Sequence, residues 1–136
     1  MQNPNTTFEA ILLKLKQSEL FDEILLRNPV SDTSEEVALK MLARFYITLS
    51  ESIQAIETGL RSSDNESVWK ACHKVAGTSE LLGFKKFGNH SRTLSKTLHA
   101  STDYSMYQDE IRLYLATAGR ISSLISAGFP DLRSFL

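Results

Sequence analysis

An all-α fold is what this sequence predicts, and three observations point to it. Proline and glycine number only three and six in 136 residues, and they mostly stand where helices must stop. Nearly every stretch between them spaces its apolar residues by three and four. No run reads as a strand.

The elements follow in order. A first helix is expected from Thr6, where Glu9 completes a capping box, with Phe8, Ile11, Leu12 and Leu15 on one face. A short second helix carries Leu20, Phe21, Ile24 and Leu25 and stops at Asn28-Pro29. Thr33 with Glu36 forms another capping box. Beyond it, Ala38, Leu42, Phe45, Leu49, Ile53, Ile56 and Leu60 step by three or four residues, the narrow seam of a bundle helix. Ser62-Ser63-Asp64-Asn65 is a turn in which Asp64 or Asn65 caps the next helix, Glu66 to Leu82, and Gly83 ends or bends it. The following helix carries Phe84, Phe87, Leu94 and Leu98 up to a break at Ala100–Thr102. The last shows Tyr104, Tyr107, Ile111, Tyr114, Ala118, Ile121 and Ile125, and Gly128 and Pro130 stop it. Short connections make neighbouring helices antiparallel. The expectation is one domain over residues 1–136, an antiparallel four-helix bundle at 34–126 with N-terminal helices at 6–28.

Composition narrows the function classes. Hydrophobic residues at 42% and charged residues at 23% suit a soluble globular chain. Fifteen basic residues against sixteen acidic give a net charge of −1, so no global field draws in nucleic acid or an anionic membrane. Cys72 is the only cysteine, which rules out an internal disulfide and fits a reducing, cytoplasmic setting. Met1-Gln2-Asn3-Pro4 opens no signal peptide. Apolar runs such as Ile24-Leu25-Leu26 fall far short of the roughly 18 residues of a membrane span. Met1 and the capped first helix suggest a free-standing protein, with a monomer as the default.

The stretch from Trp69 to Phe84 carries the chemistry. On a helix of about 100° per residue, Val68, Ala71, Val75, Ser79 and Leu82 share the core side and His73 lies opposite their centre, toward solvent. Glu66, Trp69, Lys70, Ala76, Gly77 and Glu80 are expected around it on the outward face. A large aromatic, two small residues and a lone imidazole are unusual on a solvated face. Gly77 is the odd choice, because glycine inside a helix costs about 1 kcal/mol relative to alanine. Either it permits close helix packing, or its missing side chain clears space beside His73 for a partner or a phosphoryl group.

The segment His73-Lys74-Val75-Ala76-Gly77-Thr78-Ser79, followed by Leu82-Gly83-Phe84, resembles the signature of histidine-containing phosphotransfer (HPt) domains. That pattern is a His, an apolar residue two on, a Gly four on, small residues after it, and a second Gly-containing turn. The helix order agrees from Ser34 to Ser126, the span of the family's four-helix bundle. The resemblance implies that His73 is the phosphoacceptor of a two-component phosphorelay and that the surface around it docks a receiver domain of a response regulator or hybrid kinase. The family often carries Lys one place before the Gly, where this chain has Ala76. Lys70 and Lys74 flank His73 instead, Lys74 being the poorer substitute because it lies about 100° round the helix. The change points to a tuned phosphohistidine lifetime or partner preference. It leaves open a module of the same fold that docks without accepting phosphate.

A phosphocarrier needs a neutral, exposed nucleophile near pH 7. Imidazole in water titrates at about 6.5, so an exposed histidine is then mostly nucleophilic. The receiver would bring the aspartate and the Mg²⁺. No cofactor or metal of the chain's own is therefore expected, and no enzyme activity beyond the carrier role.

Other residues read more plainly. His90 and His99 are nine apart, not the three or four of a metal pair on one face. Cys72 projects about 100° from His73 and reads as boundary core, not as a catalytic partner. Tyr104, Tyr107 and Tyr114 read as core. Trp69, only about 40° from His73, either covers the bundle edge or anchors a partner, with docking slightly favoured.

Overall fold

In the computed structural model, which describes residues 8–22 and 35–136, most of the three-and-four spacing becomes helix, with no strand among the described residues. The helices among the described residues are α1 (Phe8–Leu15), α2 (Glu35–Ser62), α3 (Asn65–Leu81), α4 (Lys85–His99) and α5 (Gln108–Gly128). Short 3₁₀ segments cover Ser105–Tyr107 and Leu132–Phe135. The expected caps at Thr6 and Thr33, and Ile24 and Leu25 of the expected second helix, lie outside the described residues.

α2 and α3 join through a tight turn, and α3 is started by a side chain. Asp64 accepts from the Ser67 amide at 3.2 Å and the Ser67 hydroxyl at 2.6 Å, so a first-turn N–H is satisfied. The Ser67 hydroxyl, then its amide, hold the Asp64 carboxyl below its ordinary pKa. The far end of α3 closes through glycine. Gly83 stands at φ +97°, where residues with a side chain are strained, and the Phe84 amide reaches back to the Ser79 carbonyl at 2.8 Å. The same turn anchors the N-terminal segment. A Cβ on Gly83 would lie 2.6 Å from the Asp22 carbonyl oxygen and 2.8 Å from the Phe21 ring. Phe84 packs between Phe21 and Phe45, its ring centroid 5.5 and 5.9 Å from theirs.

The helices enclose one core. α3 packs on α2 and α4, α5 on α1, α2 and α4, and the Leu132–Phe135 turn rests on α2. α3 and α4 run antiparallel: Trp69 meets Ser95 and His99, Ala76 meets Gly88, and Glu80 meets Arg92. Polar cross-links inside the core are complete. The Ser91 and Tyr114 hydroxyls bond at 2.8 Å, and the Tyr104 hydroxyl lies 3.1 Å from the Asn65 carbonyl and 3.0 Å from that of Leu98. No buried side-chain N or O is left without a partner among the described residues.

Several expectations need correction. Leu20–Asp22 is not helical, because Leu20 and Phe21 follow the Ser18 turn onto the Gly83 loop. Tyr104 and Tyr107 precede α5, closing the α4–α5 connection. Leu60 is exposed, because Gly59 takes the inward place under the turn, where a Cβ would stand 2.9 Å from Val68. The core also runs past residue 126, through Phe129, Leu132 and Phe135.

α3 and α4 approach each other closely at Gly88. A Cβ on Gly88 would lie 2.5 Å from Glu80 Cγ and 2.8 Å from the Ala76 carbonyl oxygen. The side chain of Glu80 can turn aside, but the Ala76 backbone cannot. Gly88→Ala should therefore destabilise the fold by about 1–3 kcal/mol, read from urea unfolding, despite alanine's better helix propensity. An unchanged or raised midpoint would show that α4 can retreat at little cost.

Candidate functional site

His73 stands in the middle of α3 with its side chain exposed to solvent. The core residues expected opposite it (Val68, Ala71, Val75, Ser79 and Leu82) are all buried. The Ser79 hydroxyl returns to the Val75 carbonyl at 2.5 Å, so this polar residue is satisfied inside the core.

The outward face is narrower than the helical wheel suggests. Ala76, expected beside His73 on the surface, is only 1% exposed and belongs to the core. The reason is the close passage of α4: Gly88 brings its backbone against Ala76, so the buried arc extends through Cys72 and Ala76 toward α4. Its centre shifts by about 30° from Val75. Ala76 therefore cannot contact a partner directly.

Trp69 and Glu80 border the same covered side. The Trp69 ring is half-buried and packs on His99 at 4.2 Å between centroids, while its carbonyl accepts from the Ser95 hydroxyl at 3.0 Å. Trp69 thus covers the α3–α4 seam instead of standing free as an anchor. Glu80 is engaged by Arg92 through two contacts at 3.1 Å. A forked pair of this kind, partly open to water, contributes about 0.5–1 kcal/mol.

On the other side of His73 the surface is open. Gly77 is exposed, and a Cβ there would meet nothing within 4 Å. Close packing does not account for this glycine, and the gap beside the imidazole is real. Lys70 is exposed, paired with Glu66 at 2.5 Å, with its ammonium 5.9 Å from the Trp69 ring centroid. Lys74 is exposed and forms no ion pair with a described carboxylate. Leu81 was missed by the sequence reading. It is 45% exposed and continues the i, i+4, i+8 stripe of His73 and Gly77. That spacing was the available signal, hidden because a leucine at a helix end reads as core.

The remaining candidate groups are accounted for by structure. Cys72 is buried, and burial pushes its thiol up to about 12, against a smaller lowering by the Tyr114 hydroxyl. Burial also raises the Tyr114 phenol. His90 is half-buried, its ring edge-on to Tyr114 at 5.4 Å and its Nε2 3.5 Å from Glu110. His99 belongs to the Trp69 contact. Among the described residues no three of His, Cys, Asp or Glu gather as metal ligands. No helix among them is long and apolar enough to cross a membrane.

Comparison of the chain with protein-family models, curated proteins and solved structures finds no match in any of the three.

Two outcomes follow from this geometry. Gly77→Ala should raise stability by up to about 1 kcal/mol, since the new methyl gains helix propensity and meets no neighbour; a fall in the urea midpoint would reveal hidden packing. Cys72 should resist a thiol-reactive dye at pH 8 in the folded protein and react freely once unfolded. Because the folded pKa is raised, the contribution of the protonated thiol is complete below the ordinary value of 9.0 and is lost as pH rises through about 12. Rapid labelling of the native protein would contradict its burial.

Proposed function

We propose that this chain is a histidine phosphocarrier of a two-component relay, with α2, α3, α4 and α5 forming an antiparallel four-helix bundle of the HPt type. The observation that carries the reading is an exposed imidazole at mid-helix with an unfilled space one turn further on. A residue kept for surface solubility needs no such gap. A group that must receive a phosphoryl from a second protein does, because the partner's backbone and the transferring group both have to come within bonding distance.

In the transfer, a ring nitrogen of His73 attacks phosphorus on the receiver's aspartyl phosphate. The N–P bond forms as the acyl P–O bond breaks, and the aspartate leaves as carboxylate. The reverse step uses the same geometry. Mg²⁺ held by the receiver offsets charge on the phosphoryl oxygens. This chain contributes position: α3 is clamped between α2 and α4, and its first turn is capped by Asp64. The adjacent thiol does not compete as a nucleophile, since Cys72 is buried and protonated at neutral pH.

A docking module that never carries phosphate is the second reading, favoured by Ala76. That position, one turn after His73, carries no charge and is covered by α4. The two separate by experiment. Incubation with a phosphorylated receiver should give an acid-labile, base-stable label that disappears in His73→Gln. A label that survives this substitution removes His73 as acceptor, and no label with any receiver favours the docking module. Gly77→Arg should retain full helical circular dichroism while slowing transfer by tenfold or more, on the order of a lost near-attack geometry. Normal transfer in that variant would mean the gap is not used.

A further inference from the structure

α5 presents a long outward face with almost no charge. Its core side is formed by Ile111, Tyr114, Ala118, Ile121 and Ile125, all buried. At about 100° per residue, the opposite side runs through Leu113, Ala116, Arg120, Ser123 and Ala127, all exposed. Leu113 stands out of this face with 63% of its surface in water. Arg120 is the only charged residue on α5 from Leu113 to Ala127, and Glu19 of the turn after α1 pairs with it at 2.6 Å. Lys86 acts on the same carboxylate from α4. α4 differs sharply: it carries Lys85, Lys86, Arg92 and Lys96 and no carboxylate, so it would repel a copy of itself.

A hollow lies on the same face of α5. This open depression of about 700 Å³ is bounded by Ser18 and Leu20 after α1 and by Gly119, Ser123 and Leu124 of α5. Leu20 and Leu124 are half-buried and give it an apolar wall. A Cβ on Gly119 would meet nothing within 4 Å, so the depression reaches the α5 backbone there.

Leucine and hollow are placed for a two-fold contact. With the axis beside Ala118 and Gly119, an antiparallel copy of α5 brings Leu113 level with Leu124 of the other copy, since the two stand equally far on either side. Such an axis keeps each residue on its own flank of the helix. Leu113 and Leu124 are only about 20° apart round α5, so the leucine of each copy enters the hollow of the other. Gly119 and Ala116 let the backbones come close near the axis. Arg120 then lies near its own symmetry mate, and Glu19 offsets that repulsion in both copies. The same register sets Asp109, ion-paired to Arg112 at 3.6 Å, level with Gly128 of the other copy, against which Lys14 packs. Opposite charges therefore meet at both ends.

We propose that the outward face of α5, with the hollow beside Leu20 and Leu124, is the contact surface of a weak homodimer, in place of the monomer expected from the sequence. The occupant is a second copy because the protruding side chain and the apolar recess that receives it belong to one face of one chain. The assignment does not rest on the phosphocarrier reading. α3 and α5 pack on the same two helices, α2 and α4, so their outward faces lie on opposite sides and His73 stays open in both copies. The face is about 21 Å long and about 10 Å wide. It covers a few hundred Å² per copy, less than the roughly 800 Å² of a stable interface, so association is reversible and concentration-dependent.

Sedimentation equilibrium of the full chain tests this between about 10 μM and about 1 mM, where the average mass should climb from monomer toward dimer. Leu113→Glu should hold the mass at monomer. Gly119→Gln should weaken association about tenfold or more, while its urea midpoint should not fall, because the added side chain meets no neighbour within the chain. Leu81→Glu, the same change at the exposed leucine of α3, should associate within twofold of wild type. Register is read by mixing Leu113→Cys with Leu124→Cys, the native Cys72 being buried. A short bis-maleimide should join two chains in the mixture and none in either variant alone. Monomeric wild type at the highest concentration, undiminished association in Leu113→Glu, loss of association in Leu81→Glu, or cross-linking of Leu113→Cys to itself overturns the proposal.

Discussion

Gly88 lets α4 approach α3 so closely that a methyl group in its place would stand 2.8 Å from the Ala76 carbonyl oxygen. Much of the surface around His73 depends on this contact. It draws Ala76 into the core, tucks Trp69 against His99 and brings Arg92 within reach of Glu80. Had α4 carried a larger residue there, the two helices would stand further apart and the buried arc of α3 would be narrower. His73 would then face water from the centre of an open surface instead of from its edge.

Glycines at positions 77 and 88 do opposite things on facing helices. At Gly88 the missing side chain is used by the protein itself, since a neighbouring helix occupies the space. At Gly77 nothing of the protein occupies it. A helix gives up about 1 kcal/mol of propensity at each such place. Close packing recovers that at Gly88, but no contact within the chain recovers it at Gly77.

The polar groups divide in the same way. Inside, the Ser91–Tyr114 hydroxyl pair and the Cys72 thiol stay neutral because burial disfavours their charged forms. They hold α3, α4 and α5 in register without chemistry of their own. Outside, the charges near His73 are of both signs: Lys70 is tied to Glu66, Glu80 to Arg92, and Lys74 is untied among the described residues. The imidazole thus lies between a neutral interior and a rim of mixed charge, on a chain whose net charge is −1.

Much of this was legible without coordinates. Helical spacing in residues 35–62, 65–81 and 108–128 announced the elements, Asp64 announced a helix start, and the residues opposite His73 announced its exposure. Those are properties of a single helix, carried by the order of its own side chains. What stayed hidden was every question about neighbours: that Ala76 is covered, that Trp69 stacks on the end of α4, that Leu81 is open, and that a groove lined by Glu51, Lys70 and Lys74 lies toward α2. Periodicity tells which way a side chain points from its own axis. How far the covered arc spreads round that axis is decided by how near the adjacent helices come, and here that distance is set by a glycine on another helix, eleven residues beyond the one beside the imidazole.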